Sequence, residues 1–260
     1  MITFINFMSN TNISPLINVM KTAYNKVNRR IYRDFGEIES LQGVDGKIDR
    51  FFNKTYEFIE YNLKDYLTYC RPEWRFLDNK NSTFKKDTYY WLLEPLSGKE
   101  NFKRSIPIFS CSISVFFNDK VIASSIYDPL RNDFYFTEKG KGAFLNDHRI
   151  RVSNRKYLEN SLISLETKNS SFEIEKLFLK DHIPFKNFRI LNSSIVSMSW
   201  LCNGKLDCFI GINMDKFLVQ SSKLLLRESG GFFLEASLNK NNFFICANPI
   251  IHKKIIKILN

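Results

Sequence analysis

The sequence predicts a mixed α/β fold, because helical and strand patterns are arranged differently in its two halves. The N-terminal half has two amphipathic helical stretches followed by short apolar segments separated by turn residues, which is typical of helices packed on an antiparallel sheet. The C-terminal half alternates apolar segments with helical stretches, which indicates an α/β arrangement. With 260 residues, 44% hydrophobic and 25% charged, the chain can build a sizeable core, and neither a disordered tail nor a collagen-like fibre fits this composition.

Two helices are predicted at the start of the chain. Ser14 and Pro15 have the pattern of an N-cap followed by proline at the first helical position. Apolar residues then recur at helical spacing, namely Leu16, Val19, Met20, Ala23, Val27 and Ile31. The pattern breaks between residues 36 and 46. A second helix is expected to begin near Arg50 and to end before Pro72.

Short apolar segments after the helices predict a sheet. They lie at residues 74–77, 89–93, 106–117, 121–127 and 134–137. The second segment is expected to end at Pro95, and Asn118-Asp119-Lys120 forms the turn between the third and the fourth. The last three segments are therefore expected to form an antiparallel meander.

The C-terminal half is predicted to alternate strands with helices. Strands are expected at residues 162–166, 188–191, 206–210 and 243–247, and helices at residues 172–179, 195–202 and 217–228. A basic amphipathic helix over residues 250–259 closes the chain. We expect residues 1–153 and residues 154–260 to form two halves that pack as one compact unit.

The net positive charge of the chain favours acidic partners but does not identify one. The 38 Lys and Arg residues exceed the 27 Asp and Glu residues by 11, which is typical of proteins that meet nucleic acid, phosphate compounds or anionic surfaces. These cations are scattered along the sequence, so ordinary solvation is the simpler interpretation. The abundance of Lys, Asn, Ile and Phe also fits an AT-rich genome, which would raise the basic count without any selection for binding.

Cysteine usage and hydropathy indicate a protein of the cytoplasm. The cysteines form no CxxC pair, so we interpret them as buried thiols rather than as zinc ligands or a disulfide framework. They are Cys70, Cys111, Cys202, Cys208 and Cys246. The apolar stretches fall short of the roughly 18 to 20 residues of a membrane span. The N-terminus lacks the pattern of a signal peptide.

Three patterns invite a functional interpretation and are each better explained otherwise. The Gly140-Lys141-Gly142 stretch could cradle a phosphate, but it lacks the Walker pattern, so a turn between strands is favoured. The histidines, His148, His182 and His252, have no metal-ligand spacing and are assigned no role. The Ser193-Ser194 pair has no GxSxG context, which speaks against a hydrolase triad.

Three longer stretches carry a family resemblance. They are WLLEPLSGKENF at residues 91–102, EKGKGAFLN at residues 138–146 and LLLRESGG at residues 224–231. These stretches resemble the inositol monophosphatase family, and its bacterial SuhB-type members in particular, and the similarity runs from about residue 14 to residue 259. The resemblance implies a layered αβαβα fold and an ancestral Mg²⁺-dependent phosphomonoesterase.

The resemblance also implies a metal site that this chain has largely lost. Mg²⁺ requires several oxygen ligands at roughly 2.0 to 2.1 Å, which the family supplies as carboxylates. The family segment Asp-Pro-(Ile/Leu)-Asp-Gly-Thr places its two metal-binding aspartates at Glu94 and Ser97 of this sequence. Two further ligand positions fall on Asn79 and Leu218. Three carboxylates are therefore absent, and that of Glu94 is displaced by on the order of 1 Å.

The positions that handle water, phosphate and sugar are altered as well. By resemblance, the pair that activates the nucleophilic water falls on Tyr56 and Lys99, and the backbone that holds the phosphate falls on Gly98 and Lys99. The substrate-facing positions are Asn192, Ser194 and Gly211. The catalytic candidates are thus Tyr56, Glu94, Ser97 and Lys99, all of them changed from the family pattern. Lys99 is either part of a solvated helix start or, as a hypothesis, a cation that replaces the metal beside Glu94.

These changes leave two functional hypotheses. The first is a pseudoenzyme that has lost most or all of its phosphatase activity and acts as a scaffold, with a protein or RNA partner linked to transcription and ribosomal RNA synthesis, as the SuhB-type resemblance allows. The alternative is a residual phosphatase that uses Glu94 and Asn79 with one metal ion on inositol 1-phosphate or another sugar phosphate. A homodimer is implied by the resemblance alone, and no membrane association is expected.

Overall fold

The structure is a computed structural model that describes residues 13–41, 46–77, 84–167, 187–238 and 241–259. It contains two β-sheets with helices on both sides and between them. The helices of the first half are α1 (Pro15–Ile38), α2 (Lys47–Cys70) and α3 (Lys99–Lys103). Those of the second half are α4 (Ser194–Cys202), α5 (Lys216–Glu228) and α6 (Pro249–Leu259).

The first sheet has seven strands in sequence order. They are β1 (Arg75–Phe76), β2 (Tyr89–Ser97), β3 (Ser110–Phe117), β4 (Lys120–Asp128), β5 (Asp133–Glu138), β6 (Gly142–Leu145) and β7 (His148–Arg149). The β1–β2 pair is parallel, and the pairs from β2 to β7 are antiparallel. The predicted meander is therefore confirmed.

The second sheet has five strands in the order β11-β12-β10-β8-β9. They are β8 (Leu162–Thr167), β9 (Asn187–Arg189), β10 (Cys208–Ile212), β11 (Phe232–Leu238) and β12 (Asn241–Ala247). Strand β8 runs parallel to β9 and β10, whereas β12 is antiparallel to β10 and β11. The sheet is thus mixed, and its parallel part brings the carboxyl ends of β8 and β10 to one edge.

The helices and sheets form five layers. Helices α1 and α2 pack on one face of the first sheet, α4 and α5 lie between the two sheets, and α6 covers the second sheet. Successive side chains of β5 point to opposite faces of the first sheet. Phe134 and Phe136 join the core under α1, whereas Tyr135 joins the core shared with α4 and α5. The predicted αβαβα sandwich is confirmed. The division of the chain at residue 153 stays a prediction.

Local sequence explains where the first helices begin and end. The Ser14 hydroxyl accepts a hydrogen bond from the backbone N–H of Ile17 at 3.2 Å, which is the contact expected of an N-cap. Helix α2 begins at Lys47, three residues earlier than predicted, and ends at Cys70, before Pro72 as predicted. Both helices direct an apolar face into the core of the first half.

Strand β2 continues past the proline at which it was expected to end. The pairing of β2 with β3 shifts register between Glu94 and Ser97, so Pro95 lies in a bulge where the strand ladder needs no N–H donor. Strands β6, β7 and β11 were not predicted. The first two are only four and two residues long, too short for a periodic pattern, and β11 is an edge strand with Phe232 53% exposed. The helix predicted over residues 172–179 lies outside the described residues.

The glycine-rich stretch between β5 and β6 is a turn, as predicted, and it binds an anion from within the chain. The backbone N–H groups of Gly140 and Gly142 each donate a hydrogen bond of 2.7 Å to the Glu228 carboxylate at the end of α5. Converging backbone N–H groups are typical of anion-binding turns. Here the anion is a side chain that ties α5 to the first sheet.

The cysteines are confirmed as buried thiols with one correction. Cys111, Cys202, Cys208 and Cys246 are buried and unbridged, whereas Cys70, at the end of α2, is only half-buried. Burial raises the pKa of the Cys202 thiol to about 12, partly offset by a hydrogen bond with Ser229. No helix in the described part of the chain combines the length and hydrophobicity needed to cross a membrane.

Candidate functional site

Most of the predicted site residues line one cleft. It has a volume of about 520 Å³ and lies where the end of β2 and the start of α3 meet the end of β8, the start of α4 and the loop before α5. Seven of the ten predicted positions line it, namely Glu94, Ser97, Gly98, Lys99, Asn192, Ser194 and Leu218. Tyr56 and Gly211 lie beside it, in contact with Lys99 and Met214. Asn79 lies outside the described residues.

Gly98 shapes the corner between β2 and α3. Its φ of 93° is in the left-handed region, and a Cβ atom there would lie 2.6 Å from the carbonyl oxygen of Ile108. Only glycine fits both constraints. The Asn101 side chain then donates hydrogen bonds to the carbonyls of Ile108 at 2.8 Å and Leu191 at 2.7 Å, so the same corner is joined to the second half of the chain.

The start of α4 is held by two side chains across the cleft. The hydroxyl oxygens of Ser97 and Ser193 lie 3.1 Å apart. Glu166, at the end of β8, accepts hydrogen bonds from the backbone N–H of Ser193 at 3.3 Å and the Ser197 hydroxyl at 3.2 Å. The N-terminus of α4, which attracts anions, is therefore already in contact with a carboxylate of the chain itself.

Glu166 is buried, with 6% of the residue exposed. Burial raises its pKa, and the N–H and hydroxyl donors at the start of α4 offset that rise in part. The sequence analysis missed this residue. A signal existed, since Glu166 ends a strand whose neighbour in the sheet is parallel, and polar groups at such strand ends commonly line sites.

Asp215 and Met214 also line the cleft and were not predicted. Asp215 accepts a hydrogen bond from the backbone N–H of Leu218 at 3.3 Å, and its position immediately before α5 is the pattern of an N-cap. Met214 covers Gly211, because a Cβ atom on that glycine would lie 2.6 Å from Met214 Cγ. The substrate-facing position that the resemblance assigns to Gly211 is thus covered by a thioether side chain.

Lys99 and Tyr56 form a cation–π contact at the mouth of the cleft. The Lys99 ammonium lies 4.4 Å from the centroid of the Tyr56 ring, well within the range of an attractive contact. The pKa of Tyr56 is raised, first by burial and then by the negative charges of Glu94 and Glu60. The phenol is therefore protonated at neutral pH and cannot serve as a base. The position of the ammonium relative to Glu94 stays a hypothesis.

The described donors do not form the carboxylate cluster that the resemblance implies for magnesium. Among the residues that the structure describes, no three Asp, Glu, His or Cys side chains converge on a point where a metal could bind. Ser97 offers a hydroxyl that faces Ser193, and Leu218 offers only hydrocarbon packed against the core. The cleft is lined by four carboxylates, from Glu94, Glu100, Glu166 and Asp215, but no three of these described groups come together.

A five-layer sandwich with a cleft at a strand–glycine–helix corner is the architecture of the inositol monophosphatases. The family model described as "Inositol monophosphatase family" matches residues 15–260, and the chain belongs to this family. The inositol-1-monophosphatase of Mesorhizobium japonicum is 28% identical over 260 residues, covering 94% of this chain and 96% of that protein. The Nus factor SuhB of Buchnera aphidicola subsp. Acyrthosiphon pisum is 33% identical over 219 residues, covering 80% of this chain and 79% of that protein.

Solved structures of related proteins share the fold. The extragenic suppressor protein SuhB from Bartonella henselae matches with a TM-score of 0.78 and 26% identity, over 95% of this chain and 99% of that chain. An IMPase from Thermotoga maritima matches with a TM-score of 0.77 and 21% identity, over 95% of this chain and 97% of that chain. The resemblance inferred from sequence is therefore confirmed for family and for fold.

Proposed function

We propose that this chain is a non-catalytic member of the inositol monophosphatase family, in which Mg²⁺-dependent hydrolysis of phosphomonoesters is lost or strongly impaired. The observation that carries the proposal is the Lys99–Tyr56 contact of 4.4 Å. By resemblance, these two positions hold the pair that activates the nucleophilic water. A protonated phenol beneath an ammonium group supplies neither a base nor a metal ligand.

Loss of carboxylates supports weak or absent magnesium binding. Ser97 and Leu218 replace two ligand positions that the resemblance assigns, and Asn79 replaces a third with a neutral amide. The remaining ligand, Glu94, is one methylene longer than aspartate, and a displacement of about 1 Å in a positioned site can cost roughly a hundredfold in rate. Without the metal, the water is not activated and the leaving phosphate is not neutralised.

The charge of the cleft also opposes the ancestral substrate. Four carboxylates and the Lys99 ammonium line it, and Lys103 offsets one of the four through an ion pair of 3.0 Å with Glu100. A phosphomonoester dianion that enters without a metal ion therefore faces more acidic than basic groups. Coulomb repulsion over a few ångströms is worth on the order of 1 to 4 kcal/mol, depending on the local dielectric. The cleft therefore disfavours inositol 1-phosphate in the ground state as well as in the reaction.

The role that we propose instead is binding. Relatives that match most of this chain bear the name Nus factor SuhB, and we infer a scaffold role of this kind, with a protein or RNA partner in transcription. The excess of 11 basic residues is compatible with either partner. A homodimer is part of the same proposal.

The experiment that tests the proposal measures phosphate release from inositol 1-phosphate with Mg²⁺ and with Mn²⁺. We expect no release above the rate of the Glu94→Ala variant, which removes the remaining aligned carboxylate. A Glu235→Ala variant is the matched control, because Glu235 is an exposed carboxylate on β11. Clear turnover that Glu94→Ala abolishes and Glu235→Ala preserves would contradict the proposal and establish a residual phosphatase.

A further inference from the structure

A second groove lies outside the cleft, between the turns of the first sheet and one face of α5. Its volume is about 320 Å³. On the helix side it is lined by Gln220, Lys223, Leu224 and Arg227, whose spacing of three, four and seven residues places them on one face. Leu224 is buried, whereas the other three side chains remain at least partly exposed. We call this the hairpin–helix groove.

Cations line the groove from three elements. Lys120 begins β4, Lys139 lies in the β5–β6 turn, and Lys223 and Arg227 lie on α5. Lys223 forms an ion pair of 3.3 Å with Glu235. In the described part of the chain, the side chains of the other three cations take part in no hydrogen bond or ion pair. Three basic groups therefore line the groove without a hydrogen-bond or ion-pair partner among the described residues.

The carboxylates of the groove do not balance this charge. Glu228 is held by the N–H groups of Gly140 and Gly142 at 2.7 Å each, so its charge is already stabilised by backbone donors. The same contacts fix the turn that carries Lys139. Asp119, exposed in the β3–β4 turn, is the other carboxylate that lines the groove.

Several cations of the groove come from positions where like charges repel each other. Lys223 and Arg227 lie four residues apart on α5, a spacing at which like charges weaken a helix, and the ion pair of Lys223 with Glu235 offsets part of that repulsion. Lys139 and Lys120 add positive charge to the other side of the groove. Surface cations that repel one another within one concave groove concentrate a positive field there, and such a field attracts an anion.

We propose that the hairpin–helix groove binds phosphate groups at a site separate from the ancestral cleft. Arg227 offers a planar fork that matches two phosphate oxygens, and the lysines offer point charges beside it. The groove is large enough for a diphosphate or for consecutive phosphates of a nucleic-acid strand. The proposal holds whether or not the cleft retains activity, since the cleft and the groove share no lining residue.

The test measures the affinity of the full chain for pyrophosphate by calorimetry and for a short oligouridine by fluorescence anisotropy. The groove variant carries Lys120→Gln, Lys139→Gln and Arg227→Gln. The control variant removes the same net charge from exposed positions elsewhere, with Arg29→Gln, Lys86→Gln and Lys253→Gln. Thermal midpoints of both variants report whether the fold is retained.

We expect the wild-type chain to bind at least one probe and the groove variant to bind it at least tenfold more weakly, because each exposed charge contact changes affinity by up to about fivefold. The control variant should change affinity by less than about threefold. If oligouridine is the ligand, the groove variant should also lower the magnitude of the slope of log affinity against log salt by about 2. Each lost phosphate contact contributes roughly 0.7 to that slope, and the variant removes three cations. Binding of pyrophosphate alone would identify a free phosphate compound as the source.

Two results would overturn the proposal. One is that neither probe binds the wild-type chain. The other is that the groove and control variants, both folded, weaken binding equally, which would mean that net charge alone attracts the probe. Neither result would bear on the phosphatase assay, since the substituted residues lie outside the cleft.

Discussion

Lys99 and Tyr56 show how two substitutions can support each other at the mouth of the cleft. The ammonium lies 4.4 Å from the ring centroid, and the ring also packs against Phe52 at a centroid distance of 6.0 Å. A cation–π contact at an exposed site contributes about 0.5 to 1 kcal/mol. A ring and an ammonium group in contact thus occupy the two positions that the resemblance assigns to the activation of water.

A double-mutant cycle tests this contact. We expect Tyr56→Leu to destabilise the protein more than Lys99→Met, because the ring also packs against Phe52. The coupling energy from urea unfolding of the two single variants and the double variant should be about 0.5 to 1 kcal/mol. A coupling indistinguishable from zero would mean that the two side chains are merely adjacent.

Glu166 is predicted to make stability depend on pH. Burial is the main cause that raises its pKa in the folded state above the ordinary 4.5. Between the unfolded-state pKa and the raised folded-state pKa, the folded state therefore binds more protons than the unfolded state. The free energy of unfolding must then fall as pH rises through that window. Glu166→Gln keeps an oxygen acceptor for Ser193 and Ser197 but removes the ionisation.

The measurement is urea unfolding of the wild-type chain and of Glu166→Gln from about pH 4 to pH 8. We expect the variant to gain stability relative to wild type as pH rises, and to keep that gain at neutral pH. A Glu166→Ala control should be less stable than Glu166→Gln throughout, because it leaves the start of α4 without an acceptor. A difference between wild type and Glu166→Gln that does not change with pH would contradict the account.

At the scale of elements, the corner between β2 and α3 depends on one glycine. Gly98→Ala places a methyl group against the Ile108 carbonyl in a left-handed conformation, so we expect a loss of roughly 1 to 3 kcal/mol in unfolding free energy. The matched control is Gly36→Ala in α1, where a Cβ atom meets nothing within 4 Å. There the same substitution should stabilise by about 0.5 to 1 kcal/mol. Thermal or urea unfolding measures both changes in stability. Equal effects of Gly98→Ala and Gly36→Ala would contradict the proposed role of the left-handed conformation at Gly98.

Elements with a local signal could be predicted, and those defined by pairing could not. The Ser14 cap and its apolar periodicity fixed the start of α1. The continuation of β2 past Pro95 depends on a register shift against β3, which local sequence does not reveal. Strand β11 is held at the sheet edge by pairing with β12. Such pairings join distant residues, and single-sequence patterns do not report them.

In the candidate site, too, residues with a local sequence signal could be predicted and residues placed by tertiary packing could not. Resemblance located Glu94, Ser97 and Lys99, which follow one another in sequence at a corner that a motif describes. It missed Glu166, because the role of that carboxyl depends on the meeting of β8 with α4, where Ser193 lies 27 residues further along the chain. A carboxylate that serves the fold and lines the cleft is recognisable only once the two elements are packed.

For the whole molecule, charge is distributed in two opposite ways. The chain has an excess of 11 basic residues, yet its ancestral cleft is lined by four carboxylates and one ammonium. The hairpin–helix groove has the reverse pattern, with four cations and two carboxylates. If metal ions no longer neutralise the cleft, we expect anionic ligands to bind to the basic surfaces of this protein and not in the ancestral cleft.

The measurement that tests the central claim most directly is Mg²⁺ binding by calorimetry, on the native chain and on a variant with the family ligands restored. That variant carries Glu94→Asp, Ser97→Asp, Asn79→Glu and Leu218→Asp, together with Lys99→Thr. We expect no saturable heat from the native chain and saturable binding by the folded variant, because the variant supplies the carboxylates that a hard cation requires. Saturable Mg²⁺ binding by the native chain that Glu94→Ala abolishes would contradict the account.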